Sequence, residues 1–288
     1  MSYRGRFAPS PTGLLHAGSL VAAVGSWLCA RHAGGRWLVR MEDIDPPREV
    51  SGSAAAILDA LPGFGLMADE PVVHQSSRIT AYDAAFEQLR QAGLVFPCWC
   101  SRSELATADG IHRDGRCIPK TGPTRTPAWR MRVPDETIAF VDERQGPQQQ
   151  RLREAVGDFV IRRVEGFYSY QLACVVDDAW QGVTQVVRGN DLLDSTPRQI
   201  WLQRCLGLPT PRYLHLPLVL DGEGRKLSKS ERAQEVDPDD PMPSLRRVLS
   251  FLGVAPDQTA THPSELLEAA LMDFDPHRLT QCSDHRAA

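Results

Sequence analysis

Apolar residues recur along the first ninety positions in two patterns, short continuous runs and helical repeats. Leu20, Val24 and Trp27, for example, are spaced as on one face of a helix. The elements predicted in this region are strand 3–8, helix 18–32, strand 37–41, a helix from Ser51 or Ser53 to 61, and helix 78–92. This β-α-β-α order predicts an α/β fold in which helices cover a parallel sheet.

The pattern breaks between about 96 and 153, where cysteine, proline and glycine cluster and residues 145–150 form a polar, hinge-like stretch. Beyond it the strand and helix patterns resume. The elements predicted there are strands 158–164, 183–188 and 213–220 and helices 170–179, 196–206, 244–252 and 264–274. We therefore predict an α/β core formed by 1–95 and 158–235, an inserted lobe at 96–157, and a short helical tail at 236–288.

Composition narrows the class of protein. The chain has 288 residues, of which 42% are hydrophobic and 24% charged, as in soluble globular proteins. No apolar run approaches the roughly 20 residues needed to cross a bilayer, and the first residues do not resemble a signal peptide. Seven scattered cysteines argue against a secreted disulfide framework. A cytoplasmic enzyme is expected, and a net charge of −4 means that any bound RNA needs a local arginine patch.

The basic residues are unevenly distributed, with 29 arginines and 3 lysines. Two of the lysines, Lys226 and Lys229, lie in the run KLSKS after the turn DGEG. A lysine on a mobile Gly/Ser loop can follow a phosphate whose charge increases as pyrophosphate leaves. The alternative is a solvated basic loop without a function.

A second stretch whose residues could take part in a reaction is RFAPSPTGLLHAGS at residues 6–19. A strand leads into a Pro/Gly loop that places His16 and Gly18 at a helix N-terminus, where free N–H groups and the helix dipole favour a phosphate. Gly18 would let the backbone approach a nucleotide closely, and His16 can donate to a phosphate oxygen. The alternative is a simple strand-to-helix turn.

Together, HAGS and KLSKS resemble the paired "HIGH" and "KMSKS" motifs of class I aminoacyl-tRNA synthetases, and RFAPSPTGLLHAGSL is similar to the glutamyl-tRNA synthetase branch. The resemblance implies a Rossmann-like parallel-sheet catalytic core with an inserted zinc-bearing lobe. It implies that Lys229 binds ATP together with His16 and Gly18, that His16, Lys226 and Lys229 are catalytic, and that Mg²⁺ accompanies ATP.

A third stretch, Arg40 and Met41 followed by EDIDPPRE at residues 42–49, lies at the end of the second strand, where ligands of open α/β sheets gather. The stretch resembles that of glutamyl-Q tRNA(Asp) synthetases, truncated relatives of glutamyl-tRNA synthetase. This resemblance implies that L-glutamate is activated with ATP in the absence of tRNA. The glutamate then passes to the queuosine base in the anticodon of tRNA(Asp). Without the resemblance, a plain acidic loop is an equal alternative.

The resemblance covers residues 3–237 and implies a set of glutamate-contacting residues by their motif positions. The residues are Arg6, Phe7, Ala8, Pro9, Ser10, Glu42, Tyr170 and Arg188, with Glu42 on the α-amino group. A dicarboxylate substrate calls for a guanidinium that can pair bidentately with a carboxylate, a role open to Arg6 or Arg188. The alternatives are a core aromatic for Tyr170 and a surface arginine at a strand end for Arg188.

The inserted region contains Cys98, Cys100, His112 and Cys117, which could complete a tetrahedral zinc site, although the C-x-C spacing also suits reduced buried thiols. The resemblance implies one structural zinc held by three cysteines and usually a tyrosine four residues before the last. Arg113 stands at that place here, and an inserted residue makes His112 the substitute ligand that we predict.

Three other functions remain open from the sequence. A conventional glutamyl-tRNA synthetase body is disfavoured by the 58 residues after KLSKS, fewer than the roughly 100 of a typical domain. A catalytically silent RNA-binding paralogue is disfavoured by the intact motifs. A nucleotidyltransferase that activates another carboxylate without tRNA has to be excluded by experiment. A monomer without membrane association is expected.

Overall fold

The computed structural model describes residues 2–106, 109–115, 117, 126–220, 236–279 and 285–286. Helices and strands alternate along most of this chain. The helices are α1 (Ala17–His32), α2 (Ser53–Gly63), α3 (Ile79–Gln91), α4 (Arg102–Ala106), α5 (Leu152–Ala155), α6 (Tyr170–Trp180), α7 (Thr196–Leu206), α8 (Pro241–Phe251), α9 (Pro263–Met272) and α10 (Pro276–Leu279). The strands are β1 (Arg4–Phe7), β2 (Arg36–Met41), β3 (Val73–His74), β4 (Val95–Cys98), β5 (Ala128–Met131), β6 (Thr137–Asp142), β7 (Gly146–Arg151), β8 (Phe159–Arg162), β9 (Gln185–Gly189), β10 (Arg212–Leu216), β11 (Val219–Leu220) and β12 (His285–Arg286).

The core contains two sets of parallel strands that meet edge to edge. Strands β1, β2 and β3 pair in parallel, and β9 pairs in parallel with β10. The N–H of Thr184, which precedes β9, donates to the carbonyl of Arg4 at 2.9 Å, so β1 lies beside β9. The strand order therefore reverses between β1 and β9, because β2 and β3 extend the sheet on one side and β10 extends it on the other. This reversal opens a ligand crevice at the carboxyl ends of the strands.

Helix α1 packs on β1, β2, β9 and β10 and is apolar on nearly all sides, with Leu20, Val24 and Leu28 fully buried. A helix buried all round needs cover on its second side. Helices α8 and α9 supply it, and Leu245, Leu249 and the buried residues of α9 join the same hydrophobic core. The predicted α/β fold with a parallel sheet and a helical C-terminal segment is confirmed.

A separate antiparallel sheet has the order β4-β5-β8, and its strands lie between β3 and β9 in the sequence. Two pairings cross the predicted boundary at residue 157: β5 pairs with β8, and β6 pairs with β10. The exact domain limits stay a prediction.

The polar stretch 145–150 is not a hinge, which corrects the sequence interpretation. It forms β7, paired antiparallel with β6 along its whole length. The strand is at the edge of its sheet and has no fully buried side chain, so the apolar alternation that would reveal a strand is missing. The predicted strand 213–220 is likewise two strands, β10 and β11, separated by Pro217 and Leu218. No helix among the described residues is long and apolar enough to cross a membrane.

Candidate active site and metal cluster

The loop between β1 and α1 is tied to the chain that follows β2. The N–H of Glu42 donates to the carbonyl of Pro9, and the N–H of Val50 donates to the carbonyl of Pro11, each at 2.9 Å. These bonds hold the RFAPSPTG and EDIDPPRE stretches against each other. The two stretches singled out separately in the sequence are therefore one structural unit.

His16 is the N-cap of α1. Its Nδ1 accepts from the N–H of Ser19 at 3.3 Å, and its Nε2 lies 3.0 Å from Oγ of the same serine. A Cβ atom on Gly18 would lie 3.3 Å from Cε1 of the His16 ring. A side chain at position 18 would therefore press on the ring, and the glycine keeps the N-terminal turn open to a ligand.

A cavity of about 470 Å³ lies at the carboxyl ends of β1 and β9, and we call it the first cavity. It brings together every predicted glutamate- and ATP-site residue that the structure describes. The predicted residues in its wall are Arg6, Phe7, Ala8, Pro9, Ser10, His16, Gly18, Glu42, Tyr170 and Arg188. Lys226 and Lys229 lie in 221–235, outside the described residues, so their positions relative to the cavity stay a prediction.

A buried ion cluster stands behind one wall of the first cavity. Oδ1 of Asp178 accepts from Nε of Arg6 at 3.0 Å and from Nη1 of Arg40 at 2.7 Å. Nη2 of Arg40 then donates to Oε1 of Glu42 at 3.1 Å. Burial alone would raise the pKa of Asp178, but the two guanidinium groups outweigh it and hold that pKa well below its usual range.

Burial raises the pKa of Glu42, and the charges of Arg40 and Arg6 oppose the rise. Nη1 of Arg6 has no hydrogen-bond acceptor among the described residues, whereas Nε and Nη2 are held by Asp178 and Cys174. The wall therefore offers a fixed cation with an unused donor and, beside it, a carboxylate. This pair can bind a zwitterionic ligand that carries a further carboxylate.

Arg188 is held on four sides. It donates to His215 Nε2 (3.0 Å), Gln199 Oε1 (2.8 Å), Thr196 Oγ1 (2.8 Å) and Tyr170 Oη (3.2 Å). An acceptor Nε2 requires neutral His215 with its proton on Nδ1, which lies 2.6 Å from the carboxylate of Asp142. Burial and the charge of Arg188 lower the pKa of His215, in agreement with the neutral form. Arg188 is a fixed, buried cation and not a surface residue at a strand end.

The four predicted metal ligands Cys98, Cys100, His112 and Cys117 come together in the inserted lobe. Their candidate ligand atoms all lie within 4.8 Å of one another. Nε2 of the buried His112 has no hydrogen-bond partner among the described residues, while its Nδ1 lies 3.0 Å from Oδ2 of Asp158. Three sulfurs and an imidazole nitrogen without another partner are a donor set that fits zinc.

Asp158 holds His112 and the neighbouring backbone in place through hydrogen bonds. Besides His112, its carboxylate accepts from the N–H groups of Gly115 (2.8 Å) and Val133 (3.2 Å). Nε of Arg130 lies 3.2 Å from Sγ of Cys98 and can compensate a thiolate there. Burial would raise the pKa of Cys98, but the neighbouring imidazole of His112, the backbone N–H of Cys100 and the guanidinium of Arg130 lower it to about 6.

A second cavity of about 850 Å³ lies between the first cavity and the inserted lobe. It shares Ser10, Thr12, Glu42, Arg48 and Tyr170 with the first cavity, and its far wall includes Cys100 and Arg130. The two cavities are therefore neighbours that share one wall.

No role was predicted from the sequence for Arg40, Asp178 or Asp158. A signal was present for the first two, because both are charged residues inside otherwise apolar elements, WLVRM and YQLACVVDDAW. Asp158 directly follows a glycine at a strand start and carried no comparable signal.

Comparison with known proteins agrees with this geometry. The family model "tRNA synthetases class I (E and Q), catalytic domain" matches residues 2–261. A protein of Xanthomonas campestris pv. campestris (strain 8004) named glutamyl-Q tRNA(Asp) synthetase is 53% identical over 100% of this chain and 97% of its own length. One of the same name from Burkholderia mallei is 53% identical over 93% of this chain and 94% of its own.

Two solved structures have the same fold. The glutamate-tRNA synthetase of Elizabethkingia anophelis superposes with a TM-score of 0.82 at 25% identity, covering 100% of this chain and 68% of that one. A glutamate tRNA ligase of Elizabethkingia meningosepticum, crystallised in complex with its amino acid, gives the same TM-score and identity over 67% of its length. The chain therefore belongs to the class I tRNA synthetases of the E and Q type.

Proposed function

We propose that this enzyme activates L-glutamate with ATP without requiring tRNA, and then transfers the glutamyl group to the queuosine base in the anticodon of tRNA(Asp). The full-length relatives at 53% identity carry the name glutamyl-Q tRNA(Asp) synthetase, which supports the acceptor. The observation that carries the activation step is the first cavity. Its lining contains Arg6 and Glu42 together with His16 and Gly18 of the α1 N-terminus.

Glutamate binding follows from the charges of the first cavity. The side-chain carboxylate of the substrate pairs with Arg6, which Asp178 holds in place, while Glu42 accepts from the α-ammonium group. Tyr170 and the fixed Arg188 complete the wall. Phe7, Ala8, Pro9 and Ser10 also line the first cavity.

ATP binds at the N-terminal turn of α1, where free N–H groups and the helix dipole favour phosphate. A carboxylate oxygen of glutamate attacks the α-phosphorus of ATP, the bond to the β-phosphate oxygen breaks, and glutamyl-adenylate and pyrophosphate result. The enzyme contributes positioning and charge stabilisation. We assign His16 to the phosphates of ATP, and we assign Lys226 and Lys229 to the departing pyrophosphate. Mg²⁺ accompanies ATP.

The cluster of Cys98, Cys100, His112 and Cys117 is proposed to hold one structural zinc ion per chain, which cross-links the inserted lobe when bound. Its support is the four convergent ligand atoms and the Nε2 of His112, which has no hydrogen-bond partner in the part of the chain that the structure describes. Metal analysis of wild type and His112→Ala tests the ligand: a loss of zinc affinity is expected, and unchanged occupancy and affinity would exclude His112.

We keep the division into core halves 1–95 and 158–235, inserted lobe 96–157 and tail 236–288 as a proposal, together with a cytoplasmic monomer. Limited proteolysis tests the division into domains, and sedimentation velocity tests the monomeric state. Cleavage confined to the neighbourhood of the proposed boundaries and a sedimentation coefficient that does not change with concentration are expected.

The decisive experiment has two stages. ATP–pyrophosphate exchange with glutamate in the absence of tRNA should be active, and exchange with aspartate, glutamine and other carboxylates should be weak. Charging of purified tRNA(Asp) with radiolabelled glutamate should then require queuosine. Acylation that ignores the modification would favour a conventional glutamyl-tRNA synthetase. Exchange driven better by another carboxylate would favour a nucleotidyltransferase that works without tRNA.

A further inference from the structure

We propose that the second cavity is the binding site of the acceptor base, and that it recognises a nucleoside side chain carrying hydroxyl groups and an amine. The inference rests on the proposed function and extends it to a specific site. The acceptor would lie beside the glutamyl-adenylate, because the two cavities adjoin at Glu42 and Tyr170, which line both of them.

The first argument is a set of polar atoms without partners. Oε1 of Gln75, Oγ of Ser169 and Oε1 of Glu49 are buried atoms with no hydrogen-bond partner among the described residues, and all three residues line the second cavity. Gln75 is fully buried, and its Nε2 already donates to Asp177 at 2.9 Å, so its Oε1 is left as an acceptor. Buried polar atoms are nearly always paired in native proteins, so these three call for a ligand rich in hydrogen-bonding groups.

The second argument is charge. The arginines near Glu49 are already paired, since Arg48 and Arg163 donate to opposite oxygens of Asp45 at 2.5 and 2.7 Å. Burial and the neighbouring carboxylates of Asp43 and Asp45 raise the pKa of Glu49. This part of the wall therefore favours a cation, and an amine on the ligand supplies one.

The charge of this wall distinguishes between two possible ligands that both carry a vicinal diol. A terminal ribose of tRNA and the cyclopentene ring of queuosine both present vicinal hydroxyl groups, which suit Gln75 and Ser169. Only the modified base adds a protonated amine next to them. We therefore assign the second cavity to the base and not to the 3′ end.

The transfer step then balances without another reactant. A hydroxyl oxygen of the bound base attacks the carbonyl carbon of glutamyl-adenylate and forms the ester bond. The bond between that carbon and the phosphate oxygen breaks, AMP leaves with the electron pair, and the hydroxyl proton passes to AMP.

The test uses Glu49→Gln and Ser169→Ala, singly and together, with Glu268→Gln on an exposed helix face as the charge-matched control. Neither Glu49 nor Ser169 lines the first cavity, and the Ser169 side chain does not cap α6. Glutamate-dependent pyrophosphate exchange is expected to stay within twofold of wild type. The KM for queuosine-bearing tRNA(Asp) is expected to rise about tenfold in each single variant, the scale of one lost hydrogen bond. An unchanged KM, or an equal loss of exchange and transfer, would overturn the proposal.

A second arm identifies the ligand. An anticodon stem-loop that carries queuosine but has no acceptor end should be glutamylated by wild type, and free queuosine nucleoside should compete with it while adenosine does not. Competition by adenosine alone would assign the cavity to a terminal ribose and overturn the proposal. If wild type does not glutamylate queuosine-bearing tRNA at all, the proposed function fails, an outcome distinct from failure of the site assignment.

Discussion

Nε of Arg6 donates to the carboxylate of Asp178 at 3.0 Å, although 172 residues separate the two in the sequence. Both side chains are buried, and the same carboxylate oxygen also accepts from Arg40. Asp178 therefore fixes the cation that we assign to the side-chain carboxylate of glutamate, without lining the first cavity itself. It is a positioning residue.

Asp178→Asn is expected to raise the KM for glutamate at least tenfold in pyrophosphate exchange while changing the KM for ATP little. The reason is that Arg6 loses its fixed ionic partner and its orientation. Removal of one member of a buried ion cluster costs about 3–5 kcal/mol of stability, so the melting temperature should fall as well. Asp194→Asn, at an exposed site, is the matched control. If the two KM values rise in proportion, Asp178 has only a general structural role.

Glu42→Gln is expected to weaken glutamate binding yet stabilise the folded enzyme at neutral pH. Because burial raises the pKa of Glu42, the folded state binds its proton more tightly than the unfolded state does. The stability that comes from protonation of Glu42 is fully present at pH values below the ordinary pKa of a glutamate. It is lost as the pH rises through the higher pKa that Glu42 has in the folded protein. The glutamine variant escapes this loss. Thermal unfolding at pH 8 and pH 4 should show the variant more stable at pH 8, with the difference shrinking in acid.

The same variant should raise the KM for glutamate at least tenfold, since a hydrogen bond to a charged group is lost. An unchanged KM at pH 8 would remove Glu42 from the glutamate site. A melting temperature that falls at pH 8 would show that the bond to Arg40 matters more than burial.

His16→Asn and His16→Ala separate capping from catalysis. Asparagine is a good N-cap and alanine is not, so only His16→Ala should lose stability, by about 0.5–2 kcal/mol. Both variants should lose pyrophosphate exchange about equally, because both lack the imidazole that we assign to the phosphates. Chemical denaturation and exchange rates measured on the same preparations check this. Full exchange activity in His16→Asn would reduce His16 to a helix cap.

Asp158→Asn should weaken zinc binding about 10- to 100-fold, as removal of a carboxylate behind a histidine ligand typically does. Chelator competition gives the affinity, and Co²⁺ substitution gives the ligand geometry from its absorption bands. Asp135→Asn, an exposed residue paired with Arg151 and Arg153, is the control. Equal zinc affinity in the two variants would show that Asp158 only holds the backbone.

The parts of the site that could be predicted from sequence are those that lie close together in the chain. His16 and Gly18 were predictable because they follow one strand and open one helix. The metal cluster was predictable because cysteines are rare and paired closely at 98 and 100. The partners of Arg6 could not be predicted, since a salt bridge across 172 residues leaves no trace in local periodicity. The charge of Asp178 inside an otherwise apolar helix signals a buried ion pair, but it does not identify Arg6 as the partner.

The secondary-structure elements that could be predicted are those whose buried side chains give a regular apolar pattern. Buried helices such as α1 and α7 were predicted within one residue of their observed ends. Strand β7 was missed because all of its side chains are partly or fully exposed at a sheet edge, where hydrogen bonds to β6 decide the conformation and side-chain polarity does not.

Cys100 belongs both to the metal cluster and to the wall of the second cavity. Metal removal should therefore uncouple the two half-reactions. A chelated enzyme would keep a competent first cavity and accumulate glutamyl-adenylate, while delivery to RNA stalls. In a single-turnover experiment the intermediate would then decay by hydrolysis, and the enzyme would consume ATP without modifying its tRNA.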